Sequence, residues 1–420
     1  MPGLSRSATS GLRLLFGTLY TALWCVAGPM LFLSARMRQG WRQRLGLERF
    51  PSCAIWIQGA SAGECALVAS LLRHLPDIPV LATTGTSQGL DVLARTAASG
   101  LQARMLPLDL PWLMDRVLDQ ARPRLVVLLE TEIWPGLLMA CARRGVPVVV
   151  VNGRMTPQSL AGYLFLRPVI GPLAPSGIAA ISLHDARRFA LVFGPERVRV
   201  SGNIKFDRAL DTAFLTREDN PLAWLVPEDR LFLVLGSVRE QEERPVLELI
   251  RMLRAGNADS VIGLFPRHMH RAHAWETLLT AAGAPWIRRS HLTGAAEPGT
   301  IVLWDRFGEL GQAYALAHRA FVGGSLARLG GQNFLEPLAQ GVLPCVGPHT
   351  RNFDWAGEAL FEKLVLKSAD PAVLAGTLLS PAPSREAVRQ QILDYVRARQ
   401  GASAASIDLI LHHLSRSHHA

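Results

Sequence analysis

The sequence predicts an α/β protein of two doubly wound domains behind a single apolar N-terminal segment. Three observations carry that expectation. The chain has 420 residues, and single hydrophobic cores stop growing beyond roughly 250–300 residues, so two domains are needed. Short, wholly apolar, β-branched runs alternate with helical stretches from residue 54 onward, as parallel strands covered by helices on both faces do. One uncharged run, LLFGTLYTALWCVAGPMLFLS, stands apart at residues 14–34.

That run is close to the roughly 20 residues that cross a hydrocarbon core of about 30 Å. Arg6 and Arg13 precede it, and Arg36, Arg38, Arg42 and Arg44 follow at once. The positive-inside bias then places the C-terminal flank, and the domains behind it, in the cytoplasm. Gly28, Pro29, Thr18 and Thr21 also admit a shallow or tilted insertion. A cleaved signal peptide would have a shorter apolar core and a small-residue cleavage site, and the basic stretch 36–49, interrupted only by Glu48, argues against export. Residues 1–45 are therefore expected to form a membrane anchor with a basic flank.

The first domain is expected over 46–210. Its strands are read at 54–57, 79–83, 125–129, 146–151, 177–182 and 197–201, with helices at 65–75, 88–98, 111–120, 136–144 and around 185–193. A polar, Pro-containing stretch at 211–227 interrupts the alternation and marks the connection. The second domain, 211–384, repeats the layout with strands at 231–235, 260–265, 300–303, 319–322, 342–345 and 364–367, and helices at 239–255 and 270–282. A Pro/Ser-rich run, 379–384, closes it, and two helices, about 385–398 and 402–412, are expected in a C-terminal segment, 385–420. Ligands of open parallel sheets bind at the carboxyl ends of the strands, so a cleft between the two sheets is the expected site.

Composition narrows the partners. Lys and Arg number 44 against 34 Asp and Glu, a formal charge of +10, which favours something anionic. The excess is arginine scattered through helices, without basic tracts or a basic face lined with exposed aromatics, so nucleic acid is not expected. Cys25, Cys53, Cys65, Cys141 and Cys345 are far apart. They form no zinc or C-x-x-C spacing and read as small buried hydrophobes in a reducing compartment.

Five loops have the chemistry of a site. Gln58-Gly59-Ala60-Ser61-Ala62-Gly63-Glu64 joins a strand to a helix, and its small residues let another molecule approach the backbone. Ser61 to Glu64 has the S-x-x-E capping-box spacing, in which Glu64 merely satisfies a backbone N–H. The same residue is also suited to act as a general base at the mouth of a cleft, and spacing does not separate the two readings. Glu130-Thr131-Glu132-Ile133-Trp134-Pro135 follows a strand, where two carboxylates either orient a polar ligand or cap the helix that Pro135 opens. In the second domain, Gly236-Ser237 and Pro266-Arg267-His268 end successive strands. The first is a place for a phosphate at a helix start, and the second offers bidentate donors and an imidazole that is either a donor or a satisfied residue of the sheet rim. Gly323-Gly324-Ser325, followed by Gly330-Gly331-Gln332-Asn333-Phe334-Leu335-Glu336-Pro337, reads as an anion nest leading into a helix. There, Glu336 is either half of a cap with Asn333 or a carboxylate for ribose hydroxyls. Dinucleotide, Walker and zinc-protease motifs are absent, so neither a metal nor a bound cofactor is expected.

Taken together, Ser61-x-Gly63-Glu64, Glu130-Thr131-Glu132-Ile133-Trp134-Pro135, Gly202-Asn203-Ile204-Lys205-Phe206-Asp207, Pro266-Arg267-His268, Gly308-Glu309-Leu310 and Gly323-Gly324-Ser325 with Asn333-x-x-Glu336-Pro337 resemble the 3-deoxy-D-manno-octulosonic acid (Kdo) transferases of Gram-negative bacteria. The resemblance runs from the N-terminal segment to about residue 375, with the motifs in family order. It implies a GT-B fold of two Rossmann-like domains facing a cleft and attachment to the inner membrane with the domains in the cytoplasm. It also implies CMP-Kdo as donor, a lipid A precursor as acceptor, and a role in lipopolysaccharide biosynthesis.

On that resemblance Glu64 matches the catalytic base of an inverting transfer, with Ser61, Gly63 and Glu132 on the substrate side. Lys205 is implied near the donor phosphate or the sugar carboxylate. Gly236, Ser237, Arg267 and His268, with Gly324 and Ser325, are implied for the anionic part of the CMP-activated acidic sugar, and Asn333 with Glu336 for the nucleotide. Inner-membrane lipids are a further implied partner. Four departures stand out. Gln58 and Gln332 stand where the family usually has His, Val238-Arg239 replaces a Thr-His pair, and Trp304-Asp305-Arg306-Phe307 differs before Gly308. A Gln keeps a hydrogen-bonding group but carries no proton charge. These departures keep open a divergent member acting on another acidic sugar or lipid, and a tethered binding protein without chemistry.

Overall fold

A computed structural model of the chain describes residues 6–31, 34–96, 98–209 and 214–416. The chain divides into two compact units, one formed by residues 1–208 together with 399–420 and the other by 209–398.

The first unit is built on a seven-stranded sheet, β1 Ile55–Gln58, β2 Val80–Thr84, β3 Leu101–Met105, β4 Leu125–Leu129, β5 Val148–Gly153, β6 Gly177–Ala180 and β7 Val198–Val200, in the order β3-β2-β1-β4-β5-β6-β7. Every pairing is parallel. Strands β1, β2, β4, β5 and β6 are buried throughout, because apolar side chains leave both faces toward helices. The order reverses direction between β1 and β4, the topological switch point at which such sheets bind ligands.

The second unit repeats the design with β8 Phe232–Val238, β9 Val261–Pro266, β10 Trp286–Arg288, β11 Ile301–Leu303, β12 Arg319–Val322, β13 Pro344–Val346 and β14 Leu366–Lys367, ordered β10-β11-β9-β8-β12-β13-β14. Its switch point lies between β8 and β12. These two strands approach closely: a Cβ on Gly323 would stand 2.6 Å from the Ser237 carbonyl oxygen and 2.8 Å from the Val238 Cα.

Strands β3 and β10 were not expected from the sequence. Each is the outermost strand on its side of the sheet. Each also mixes charged and apolar residues and is only partly buried over most of its length, so it lacks the continuous apolar run of a central strand.

The two helices expected as one C-terminal segment go to different units. Arg385–Arg397 belongs to the second unit, while Ala402–Arg416 returns to the first. Ala402, Ile407, Leu409, Ile410 and Leu414 join the core beneath β1, β4 and β5. Asp207 fixes that return by accepting from the Gly401 and Ser403 amides at 2.8 and 2.6 Å.

The expected membrane anchor requires correction. Among the described residues no helix is long and apolar enough to cross a membrane, so neither a spanning N-terminal anchor nor the inner-membrane localisation drawn from it is retained. The N-terminal helix runs from Arg6 to Leu31, and residues 32 and 33 of the apolar run lie outside the described residues. Its sequence looks membrane-like because two sides are apolar for different reasons. Phe16, Tyr20 and Trp24 pack on the core of the first unit, and the Tyr20 hydroxyl donates to Asp109 at 2.7 Å. Leu15, Leu19, Leu23 and Val26 are exposed. Cys25 is exposed as well, whereas the other four cysteines are buried and all five are unpaired.

Candidate functional site

At the first unit's switch point, β1 delivers Gln58 and the loop to Glu64, while β4 delivers Glu130 and Glu132. Ser61 is the N-cap of the helix Ala62–Leu72 and its hydroxyl accepts from the Glu64 amide at 3.3 Å. The Glu64 carboxylate reaches back to accept from the Ser61 amide at 2.9 Å. The capping box is thus formed. It holds the carboxylate at a helix start, half-buried, beside two others.

That setting perturbs its acidity. Burial first, then the charges of Glu132 and Glu130, push Glu64 up from 4.5 to about 7, against donation from the Ser61 and Ala60 amides. Burial likewise raises Glu132, which accepts from the Trp134 indole at 2.7 Å and from Gln58 Nε2 at 3.5 Å. Gln58, wholly buried, accepts in turn from the Thr83 hydroxyl at 2.5 Å, and Thr83 accepts from the Trp56 indole at 2.7 Å. The glutamine at the first departure therefore belongs to a polar chain running from the sheet interior to Glu132.

Lys205 enters this site from a short helix, Ile204–Arg208. Asn152, in the left-handed region at φ 52°, accepts from the Ile204 amide at 2.9 Å and so fixes the helix start. The Lys205 ammonium pairs with Glu130 at 3.0 Å. Glu130 is itself at φ 52°, a conformation that costs a residue with a Cβ of order 1 kcal/mol and persists where surroundings impose it. Gly63 lies in the exposed first turn, and a Cβ there would meet only the Ser61 hydroxyl at 3.8 Å.

In the second unit a cavity of about 430 Å³ opens at the carboxyl ends of β8, β9 and β11. Ser237, Arg267, Gln332, Asn333 and Glu336 line it, with Arg306 and Phe307. Asn333 ties this wall together by donating to Glu336 at 3.0 Å and accepting from the Leu335 amide at 3.2 Å. Burial raises Glu336, with Asn333 and the Arg267 charge opposing. His268 is exposed beside this wall, stacked on His270 with centroids 5.5 Å apart. Desolvation, then Arg239 and Arg267, push its imidazole below the usual range. Gly308-Glu309-Leu310 borders the cavity. Glu309 anchors that loop by accepting from the Trp304 indole at 2.7 Å and pairing with Arg289 at 2.9 Å.

Gly236, Gly324 and Ser325 do not line this cavity. A Cβ on Gly236 would fall 1.9 Å from the Tyr314 hydroxyl, which accounts for the glycine by packing. The Gly324, Ser325 and Leu326 amides donate to Glu242 at 2.5, 2.8 and 2.7 Å. Glu242 was not singled out from the sequence, since a Glu-Glu pair opening a helix reads as a solvated first turn. Among the described residues no group of three or more His, Cys, Asp or Glu side chains is placed to hold a metal ion. A larger groove, about 900 Å³, lies between the N-terminal helix and the helices Pro111–Ala121 and Pro135–Arg144. None of the candidate site residues of either unit lines it.

A family model described as 3-deoxy-D-manno-octulosonic-acid transferase (kdotransferase) matches residues 39–208, the stretch that carries Glu64, Glu130, Glu132 and Lys205. Over 377 residues the chain is 35% identical to the 3-deoxy-D-manno-octulosonic acid transferase of Bordetella pertussis, covering 85% of this chain and 86% of that protein. The chain belongs to the Kdo transferase family. The Haemophilus influenzae transferase of the same name is 31% identical over 410 residues, covering 94% of this chain and 96% of the other. The Kdo transferase fold recurs more widely. A glycosyltransferase from Rickettsia africae superposes with a TM-score of 0.55 at 9% identity, over 88% of this chain and 99% of that one, a likeness of fold alone. As a member of this family the chain is a glycosyltransferase of GT-B type, built from two parallel-sheet units.

Proposed function

We propose that this Kdo transferase moves Kdo from CMP-Kdo to a lipid A precursor, lipid IVA, with inversion at the anomeric carbon and Glu64 as the base. The observation that carries this reading is a helix-start carboxylate poised near neutrality among two other carboxylates. A general base works best when its pKa lies near the operating pH. Glu64 takes the proton of the acceptor's primary hydroxyl while that oxygen bonds to the anomeric carbon. The bond from that carbon to the CMP phosphate breaks on the opposite face, and CMP leaves with the electron pair. One base suffices, and no covalent intermediate forms.

Support for the donor sugar comes from the relatives, which are Kdo transferases, and support for a nucleotide from the residues of the second-unit cavity. Arg267 supplies bidentate donors for an anionic group. Asn333 and Glu336 supply an amide and a carboxylate for nucleotide hydroxyls, and Ser237 a further hydroxyl at the strand end. His268 stands beside Arg267 as a neutral donor at neutral pH. On the acceptor side Ser61 and Gly63 shape the approach to Glu64, Glu132 raises its proton affinity, and Lys205 balances Glu130.

The test is a mass assay of purified protein with CMP-Kdo and tetraacyl lipid A precursor, run for wild type and Glu64→Gln. Sugar addition by the wild type and its loss in a folded variant support the reading. No addition by the wild type, where a known family member works beside it, would turn attention to another acidic sugar or lipid.

A further inference from the structure

The glycine loop after β12 is an anion nest, and its ligand is part of the chain. Glu242 is 0% exposed and sits on the turn that follows β8. One carboxylate oxygen accepts from the Gly324 amide and, at 3.2 Å, from the Arg239 amide; the other accepts from the Ser325 and Leu326 amides. Four backbone donors thus converge on one buried carboxylate. Such a group is stable in the interior only when its oxygens are fully hydrogen-bonded.

The next residue performs a parallel task on the other side. Glu243 accepts from Arg271 Nε and Nη2 at 2.9 and 2.7 Å, holding the 3-10 turn Met269–Arg271 that follows Arg267 and His268. Two successive glutamates therefore tie the loops after β12 and β9 to the turn after β8. Arg267 and Met269, which line the 430 Å³ cavity, lie on the tied loop after β9, and Ser237, also in the lining, lies at the end of β8 just before the tied turn. Gln332, also in the lining, donates its backbone N–H to the Gly323 carbonyl at 3.1 Å.

We propose that Glu242 is a positioning residue for the donor cavity: its carboxylate permanently fills the nest of Gly324, Ser325 and Leu326, which shapes the cavity wall and takes no part in binding the donor's phosphate. This rests on the reading of that cavity as the nucleotide-sugar site. Anion recognition then falls to side-chain cations of the lining, Arg267 and Arg306, in place of the glycine loop that the sequence suggested.

Amide hydrogen exchange on the full chain, with and without saturating CMP, tests this without any substitution. The expected result is slow exchange at 324–326 in the free protein, unchanged by CMP, with new protection in 265–271, 306–311 and 332–336. New protection at 324–326 on CMP binding would overturn the proposal. So would fast exchange there in the free protein. If CMP protects none of these segments, the reading of the cavity fails, while exchange at 324–326 in the free protein still decides whether Glu242 fills the nest. Glu242→Gln adds a kinetic readout, because an amide NH₂ then faces backbone donors. The donor KM should rise about tenfold or more while the acceptor KM stays within about twofold. Equal loss for both substrates, or a shift in melting temperature with both KM values unchanged, would reduce Glu242 to a fold-stabilising group.

Discussion

Glu64 serves the fold and the proposed chemistry with the same oxygen atoms, and the two roles separate by substitution. Gln also completes a capping box, so Glu64→Gln should melt within a few degrees of wild type while transfer falls by about 10²–10⁴, the usual contribution of a general base. Glu64→Ala confounds the two by removing the cap. The acid limb of the transfer rate should have its midpoint near 7, because Glu64 must be ionised to accept a proton and burial with its neighbours' charges raises it to about 7. Glu132→Gln removes one of those charges and should move the limb to lower pH, as kcat/KM against pH would show. The stability effect has a definite sign. Since the folded value is raised above the ordinary 4.5, the contribution from Glu64 is present below that value and is lost as pH rises through about 7. Denaturant titrations of Glu64→Gln across that window should show a flatter pH dependence than wild type.

Elements were legible in the sequence where burial is two-sided. The runs at β4 and β5 are continuous Val and Leu because helices cover both faces. Strands β3 and β10 escaped that rule because outermost strands with charged residues need no such run. The N-terminal helix was misread for a related reason: a count of apolar residues cannot see that Tyr20 donates to a buried Asp109. Asp109 also accepts from the Gly136 and Leu137 amides, at 2.8 Å each, at the start of the helix Pro135–Arg144. Tyr20→Phe removes one member of that cluster and should cost about 1 kcal/mol in chemical denaturation, the usual net value of a hydrogen bond. At the β8–β12 crossing the neighbours of Gly323 are backbone atoms that cannot give way. Gly323→Ala should therefore destabilise by roughly 2 kcal/mol or more, as overpacking does.

On the scale of the whole molecule, sequence order conceals one feature. The first unit is discontinuous, and its core is completed by a helix some two hundred residues beyond its last strand. Each fully buried Leu or Ile of that helix is worth roughly 1.5–3 kcal/mol. A chain ending at residue 398 should therefore show rapid proteolysis within 50–208 and a lowered first melting transition, with 214–398 comparatively resistant. The loops of Glu64, Glu132 and Arg267 stand out in the sequence because each follows a strand directly, and Asn333 with Glu336 because their spacing marks a helix start. Sequence reading missed Glu242 because the partners of a buried carboxylate are backbone amides some eighty residues away, which leave no mark on side-chain pattern.

The most direct test of the central claim is product mass after incubating wild type and Glu64→Gln with CMP-Kdo and lipid IVA. The expected result is a mass increment of Kdo with the wild type and none above background with the folded variant. Transfer by Glu64→Gln at the wild-type rate would contradict Glu64 as the base.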